Sequence, residues 1–285
     1  MNGAAVIQLP LGFREGGSRY LEAVVRPLTG EDQEFLLEEA ASSPPAQRAT
    51  ALLGRCTVRL GPVSPVSEPQ IRGLCAGDRE ALLLHLRRIT FGDRAQSTVE
   101  CPEPGCGQRI DLDFRIRDLL LPASPEAPAS YQDEFAAGPA TYRVRFRLPT
   151  GADQEAAVEA AGGDVARGVR ALLARCVESC EPPPEGWPPP LVEGISQRMA
   201  QLDPQAQVEL AAVCPSCGAE FETLLDAATF LFDEVGLRLA HLYREVHLLA
   251  LHYHWSEAEI LRMTPGKRRR YLNLLEESLG EEWNA

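Results

Sequence analysis

The sequence predicts an α+β fold, mainly helical, built as two diverged repeats followed by a C-terminal helical tail. Three observations predict it. Segments of the first half return in the same order in the second; each half ends on a cysteine pair and a short alternating segment; and from Gly236 the chain becomes apolar at helical spacing.

The repeats rest on three echoes. Arg26-Pro27-Leu28-Thr29-Gly30-Glu31-Asp32-Gln33 returns as Arg147-Leu148-Pro149-Thr150-Gly151-Ala152-Asp153-Gln154. Ala51-Leu52-Leu53-Gly54-Arg55-Cys56 returns as Ala171-Leu172-Leu173-Ala174-Arg175-Cys176, and Cys101-Pro-Glu-Pro-Gly-Cys106-Gly107 as Cys214-Pro-Ser-Cys217-Gly218. The spacing between matches drifts slowly, the pattern of a duplication edited in its loops.

Each half reads alike: a short extended lead-in, a Thr-Gly-x-Asp turn that starts a helix, and a helix carrying Leu-Leu-x-Arg-Cys. Thr29 is the expected N-cap, Glu31 and Asp32 suit the first turn, and Leu36, Leu37 and Ala40 supply an apolar stripe. A further helix is expected over residues 78–89, where Leu82, Leu83, Leu86 and Ile89 share a face, with a counterpart over 191–202. Short strands are expected at 108–116 and 219–224. The expected boundaries are a first repeat at 1–121, a Pro-rich linker at 122–139, a second repeat at 140–235, and a helical interaction segment at 236–285. A second Pro-rich break, 181–190, surrounds Trp187.

Composition limits the function classes. The 285 residues are 45% hydrophobic and 24% charged, which excludes wholesale disorder and fibrous chains. Basic residues number 28 against 41 acidic, a net charge of -13, which argues against nucleic acid as a partner. No apolar run is long enough for a membrane span, and no signal peptide is legible, so a bacterial cytoplasmic location without membrane insertion is expected.

In that compartment eight cysteines are not a disulfide framework. Cys56, Cys75, Cys176 and Cys180 stand in or beside apolar helical stretches and read as small hydrophobes. Cys101, Cys106, Cys214 and Cys217 read as two knuckles. Each is a tight turn followed by glycine, and each supplies two thiolates where zinc prefers four. The economical solution is one structural zinc per chain in a ribbon-like site shared by the repeats. Such a closed site leaves no position for a substrate or an activated water. The alternatives are two unmetallated turns or a redox pair at Cys214 and Cys217.

The tail is expected to bind a partner. Leu242, Tyr243, Val246, Tyr253 and Trp255 offer an apolar face, and Arg268, Arg269 and Arg270 form a basic run near a helix start that opposes the helix dipole and suits an acidic partner surface. His241, His247, His252 and His254 lack the spacing of a metal site. There is no phosphate loop, dinucleotide fingerprint or nucleophile elbow, so no enzyme and no small-molecule substrate are expected.

Leu9-Pro10-Leu11-Gly12, Arg26 to Gly30, Gly77-Asp78-Arg79-Glu80, Phe91-Gly92-Asp93, the two knuckles and Phe146 to Gly151 together resemble the baseplate hub assembly chaperones of T-even-type contractile phage tails. Related genes occur in phage-derived contractile injection systems. Leu242 to His247, Tyr253 to Ser256 and Arg268 to Tyr271 look like a small separate protein of such loci, fused here at the C-terminus. The resemblance implies a nonenzymatic assembly or structural role, with other baseplate, hub or tail proteins as partners and a place in an assembled particle as one outcome. The alternative is a zinc-ribbon regulatory or nucleic-acid-binding protein that uses residues 267–270 on phosphates.

Overall fold

The chain opens on a hairpin, where sequence suggested only a short extended lead-in. In the computed structural model, which describes residues 3–184 and 186–282, β1 (Ala5–Glu15) pairs antiparallel with β2 (Ser18–Val25) across a bulge between Gln8 and Phe13. Gly12 sits in this bulge at φ 86°, and a Cβ there would meet the Tyr20 carbonyl at 2.9 Å, so both backbone angle and space demand glycine. The irregular register buries Leu9 through Phe13 consecutively rather than alternately.

Two helices follow. α1 (Gly30–Leu37) starts on a capping box in which Thr29 and Asp32 satisfy each other's backbone amides, and α2 (Pro45–Cys56) leads into β3 (Thr57–Leu60), which completes a three-stranded sheet in the order β1-β2-β3. After α3 (Glu68–Arg72) come α4 (Ala76–Phe91), the hairpin β4 (Arg94–Glu100) and β5 (Arg109–Arg115), and a 3-10 turn at Ile116–Leu119. The second half runs β6 (Tyr131–Ala137), β7 (Ala140–Phe146), α5 (Gly151–Ala161), α6 (Val165–Cys176) and β8 (Val177–Glu181), with sheet order β6-β7-β8. It continues through α7 (Pro189–Leu202), a 3-10 turn at Pro204–Ala206, and the hairpin of β9 (Val208–Val213) and β10 (Glu220–Leu225). Apart from α3 and the placing of the 3-10 turns, the order of elements is the same twice. The tail comprises α8 (Ala227–Tyr253), α9 (Glu257–Leu261) and α10 (Pro265–Glu282).

Three expectations are corrected. Residues 131–137, placed in the linker, form β6: the prolines at 122, 125 and 128 all precede it, Tyr131, Asp133 and Phe135 alternate with exposed neighbours, and an edge strand needs only one ladder. The tail helix does not begin at Gly236 but at Ala227, where Asp226 accepts from the Thr229 amide at 2.6 Å; its first turns bury Ala227, Ala228, Leu231, Phe232 and Val235. Cys180 lies in strand β8 rather than beside a helix.

The cores interlock. The larger one gathers the β1-β2-β3 sheet, α1, α2 and α4, and also Val208, Leu210 and Leu225 of the second hairpin with the start of α8. The smaller one packs Val144, Phe146, Leu173, Leu191, Ile195 and Met199, yet takes Leu11 from the bulge of β1. Across the seam the Ala76 amide donates to the Pro149 carbonyl at 2.9 Å and the Gly151 amide to that of Leu74 at 3.0 Å. Thr50 Oγ1 donates to Glu155 Oε1 at 2.5 Å, and Arg72 pairs with the same carboxylate at 2.9 Å.

Candidate metal centre

The two hairpins bring four cysteines to one point. Cys101 stands just past the end of β4 and Cys106 in the turn before β5, while Cys214 and Cys217 stand in the corresponding places between β9 and β10. Each turn is closed by its own backbone: the Cys101 amide donates to Gln108 and that of Cys106 to Glu103, as Cys214 does to Ala219 and Gly218 to Cys214. Gly105, Gly107 and Gly218 take positive φ, which explains the glycine after each pair.

The four sulfurs lie within 4.8 Å of one another. Two close approaches join the halves: Cys101 Sγ to Cys217 Sγ and Cys106 Sγ to Cys214 Sγ, both 3.7 Å. A disulfide would need about 2.05 Å, whereas a tetrahedron with bonds of about 2.3 Å to zinc has edges of about 3.8 Å. The residues present therefore fit a tetrahedral thiophilic ion. Cys101 and Cys214 are buried against Ile110, with Val99, Leu112, Ala219 and Phe221 around them, while Cys217 faces solvent. Backbone amides of Cys217 and Ser216, aimed at the Cys214 sulfur, lower that thiol to about 7. At Cys101 the Glu103 amide favours the thiolate, but burial and the neighbouring sulfurs outweigh it and push the thiol up to about 12. A metal ion would reverse this repulsion and hold all four as thiolates. Such an ion would stitch the halves together rather than act on a substrate, since all four positions would be filled by sulfur. Among the described residues this is the one cluster of three or more groups suited to a metal; the four tail histidines are exposed and do not converge.

Beside the cysteines, each half carries an ion-pair clamp that sequence reading credited only with helix capping. Arg26 grips Asp32 through both terminal nitrogens at 2.5 and 3.1 Å, and Arg55 Nε adds 3.0 Å; Arg147 and Arg175 hold Asp153 at 2.5, 3.0 and 2.8 Å. Burial alone would raise these carboxyls, but the arginines and the threonine amides hold both below the usual range. The signal was present in the echoes, which keep all three charged positions in each half.

A second buried acidic group was not legible. Asp78 Oδ1 accepts from the Leu11 and Gly12 amides at 2.8 and 3.2 Å, and Asp203 Oδ2 from the Gly77 amide at 2.8 Å. The remaining oxygen of each is buried without a hydrogen bond among the described residues. Burial pushes Asp78 up to about 7 and Asp203 up to about 6.

The tail residues divide. Leu242 and Val246 are buried in the tail's own core with Leu249, Ile260 and Leu261, and Arg268 is 1% exposed, so these three do not form an open partner face. The acidic group that answers Arg268 is internal: Glu245 Oε2 at 2.7 Å, with Gln33 Oε1 at 2.8 Å and the Met263 carbonyl at 2.7 Å. Its burial also removes it from any phosphate-contacting set. Tyr253 and Trp255 are half-buried, stacked 4.7 Å apart and capped edge-on by Tyr271. Tyr243, Arg269 and Arg270 are exposed, and the Tyr243 hydroxyl donates to Glu38 at 2.7 Å beside Glu34.

The profile of the family described as T4 bacteriophage base plate protein matches residues 8–186, well over half of the chain. The chain belongs to that family. The match runs from β1 to the Pro-rich loop before α7, so the family region includes Cys101, Cys106 and both ion-pair clamps, while Cys214, Cys217 and the three tail helices lie beyond it. A baseplate family points to a structural or assembly role among phage tail proteins. No curated protein and no solved structure matches the chain. No described helix is long and apolar enough to cross a membrane.

Proposed function

We propose that this chain is a nonenzymatic assembly chaperone or structural component of the baseplate or hub of a contractile tail or contractile injection system, built on one structural zinc held by Cys101, Cys106, Cys214 and Cys217. The observation that carries the reading is the family match over residues 8–186. The site chemistry agrees with it, because a closed set of four thiolates stabilises a scaffold and leaves no vacancy for substrate. The doubled order of elements and the doubled clamps support an origin by internal duplication, with the metal joining the two copies. Other baseplate, hub or tail proteins are the partners this role requires, and the exposed or half-exposed tail residues Tyr243, Tyr253, Trp255, Arg269 and Arg270 are the ones left to meet a partner.

The test is deletion of the gene in its host, followed by electron microscopy of sheared lysates. Loss of complete tail-like particles, restored by the wild-type gene, is expected; a normal yield of contractile particles would overturn the reading.

A further inference from the structure

Strand β4 has a neighbour on one side only, because it forms a two-stranded sheet with β5. The register fixes which of its backbone groups point to the other side. The Ile116 amide donates to the Asp93 carbonyl and the Cys101 amide to that of Gln108, both at 2.9 Å, so positions 93 and 101 turn their backbone toward the partner strand. Bonding alternates along an antiparallel strand, and the pairing between these ends runs without a bulge from Arg94 opposite Arg115 to Glu100 opposite Arg109. Ala95, Ser97 and Val99 therefore bond to β5, while Arg94, Gln96, Thr98 and Glu100 turn their N–H and C=O groups outward. Arg94 agrees with this parity: its carbonyl accepts from Arg87 Nη1, off the sheet, at 2.7 Å. Among the described residues Gln96 and Thr98 have no backbone partner off the sheet.

Residues 94–98 of β4 line a groove of about 1010 Å3 whose far wall is α8. Successive side chains of a strand point to opposite faces, and Ala95 is buried, so a groove that touches all five residues runs along the strand's edge. The side chains there are already served: Asp113 pairs with Arg94 at 3.0 Å, and Asp111 accepts from Thr98 Oγ1 at 2.9 Å. The α8 wall brings Leu237, 80% exposed, to the same groove. No proline, lysine or bulge interrupts β4, and its two charged residues stand at its ends, so the middle of the edge lacks the devices that keep an open strand from pairing.

We propose that this groove binds an extended segment of another protein, which adds a third strand to the hairpin beside β4. The walls define the occupant. Gln96 and Thr98 offer two N–H and two C=O groups at strand spacing, which an extended backbone meets in order; a helix has already used its own groups internally. Side chains of such a segment alternate, and those turned to α8 are apolar to match Leu237. A second copy of this chain does not fit, because its β4 comes with the same α8 wall and the groove does not admit another folded hairpin. The inference rests on the hairpin edge alone and stands apart from the baseplate reading.

Photocrosslinking in the host tests it, with p-benzoylphenylalanine placed at Gln96 or at Leu237 of the full chain. Adducts from both positions to one segment of one other protein are expected. That segment, synthesised as a peptide, is expected to slow hydrogen exchange at the Gln96 and Thr98 amides. T98P removes an outward N–H and no bond to β5, and is expected to weaken peptide binding by about tenfold or more. T98V keeps that N–H and is expected to bind like wild type. Melting curves check that both variants fold. Absence of an adduct from either position, adducts only to a second copy, unchanged exchange at the two amides, or equal affinity for a folded T98P would overturn the proposal.

Discussion

Asp32 and Asp153 are the residues on which each half depends most. Each carboxylate is buried, each is gripped by two arginines, and each also anchors its helix start through the threonine amide. Removing the carboxylate leaves two guanidinium groups facing each other, so Asp32→Ala and Asp153→Ala are expected to cost about 2–4 kcal/mol each in denaturant titrations. The pH dependence works in two directions. Both folded-state pKa values are depressed, so this stabilisation is complete above the ordinary aspartate range and is lost as pH falls below it. Asp78 and Asp203 do the opposite: with values raised to about 7 and about 6, they favour the fold at low pH and weaken it as pH rises through those values. In protein freed of metal by chelation, these two groups are therefore expected to make the melting temperature higher near about pH 5 than near about pH 8. In Asp78→Asn the amide oxygen can still accept from Leu11 and Gly12 while the charge is gone; calorimetry at the two pH values should show a smaller difference for this variant than for wild type.

At the scale of elements, two helix starts are read by their neighbours. Gly30 opens α1 against α9, and its amide donates to the Met263 carbonyl at 3.2 Å; a Cβ there would lie 2.9 Å from both the Cα and the carbonyl oxygen of Leu261. Those are backbone atoms, so the clash cannot be relieved by a rotamer change. Gly30→Ala is expected to cost about 1–3 kcal/mol and to raise amide exchange in α9 before it does so in α1. Gly151, the echo of Gly30, is instead covered by the Arg79 guanidinium, with Arg79 held by the Ile71 and Ala46 carbonyls. Equivalent surfaces thus receive different lids. Which features were legible in the sequence follows from how local their causes are. Capping boxes, the Leu-Leu-x-Arg-Cys helices and the knuckles are written within a few adjacent residues, and they could be read. Strand β6 was hidden because its alternation sits directly after a proline cluster. The start of α8 was hidden because Gly236 looks like a break, although it lies inside a continuous helix with only Leu37 near it, at 3.8 Å.

For the whole molecule, the convergence of the four cysteines was legible, because two pairs at metal-ligand spacing suggest one meeting point. The contacts of Asp78 and Asp203 were not, since their partners lie 67 and 126 positions away and nothing nearby names them. The metal reading gives a direct expectation. Mass spectrometry of purified protein should find one zinc per chain, and chelation should lower the melting temperature by uncoupling the β4-β5 hairpin from the β9-β10 hairpin. Cys214→Ser should lose the metal as completely as Cys101→Ser, since the four sulfurs of both hairpins converge within 4.8 Å. Metal at two per chain, or a melt indifferent to chelation, would refute the shared site.

The interlocked cores also bear on how the protein is made. A ribosome delivers the chain from its N-terminus, and the sheet, α1, α2 and α4 of the larger core all emerge before Val208, Leu210, Leu225 and the first turns of α8 that close over them. Until about the position of Val235 has left the exit tunnel, the growing chain carries an open apolar surface that its later residues are destined to seal. A polypeptide stopped at residue 186, where the family match ends, keeps that surface permanently bare.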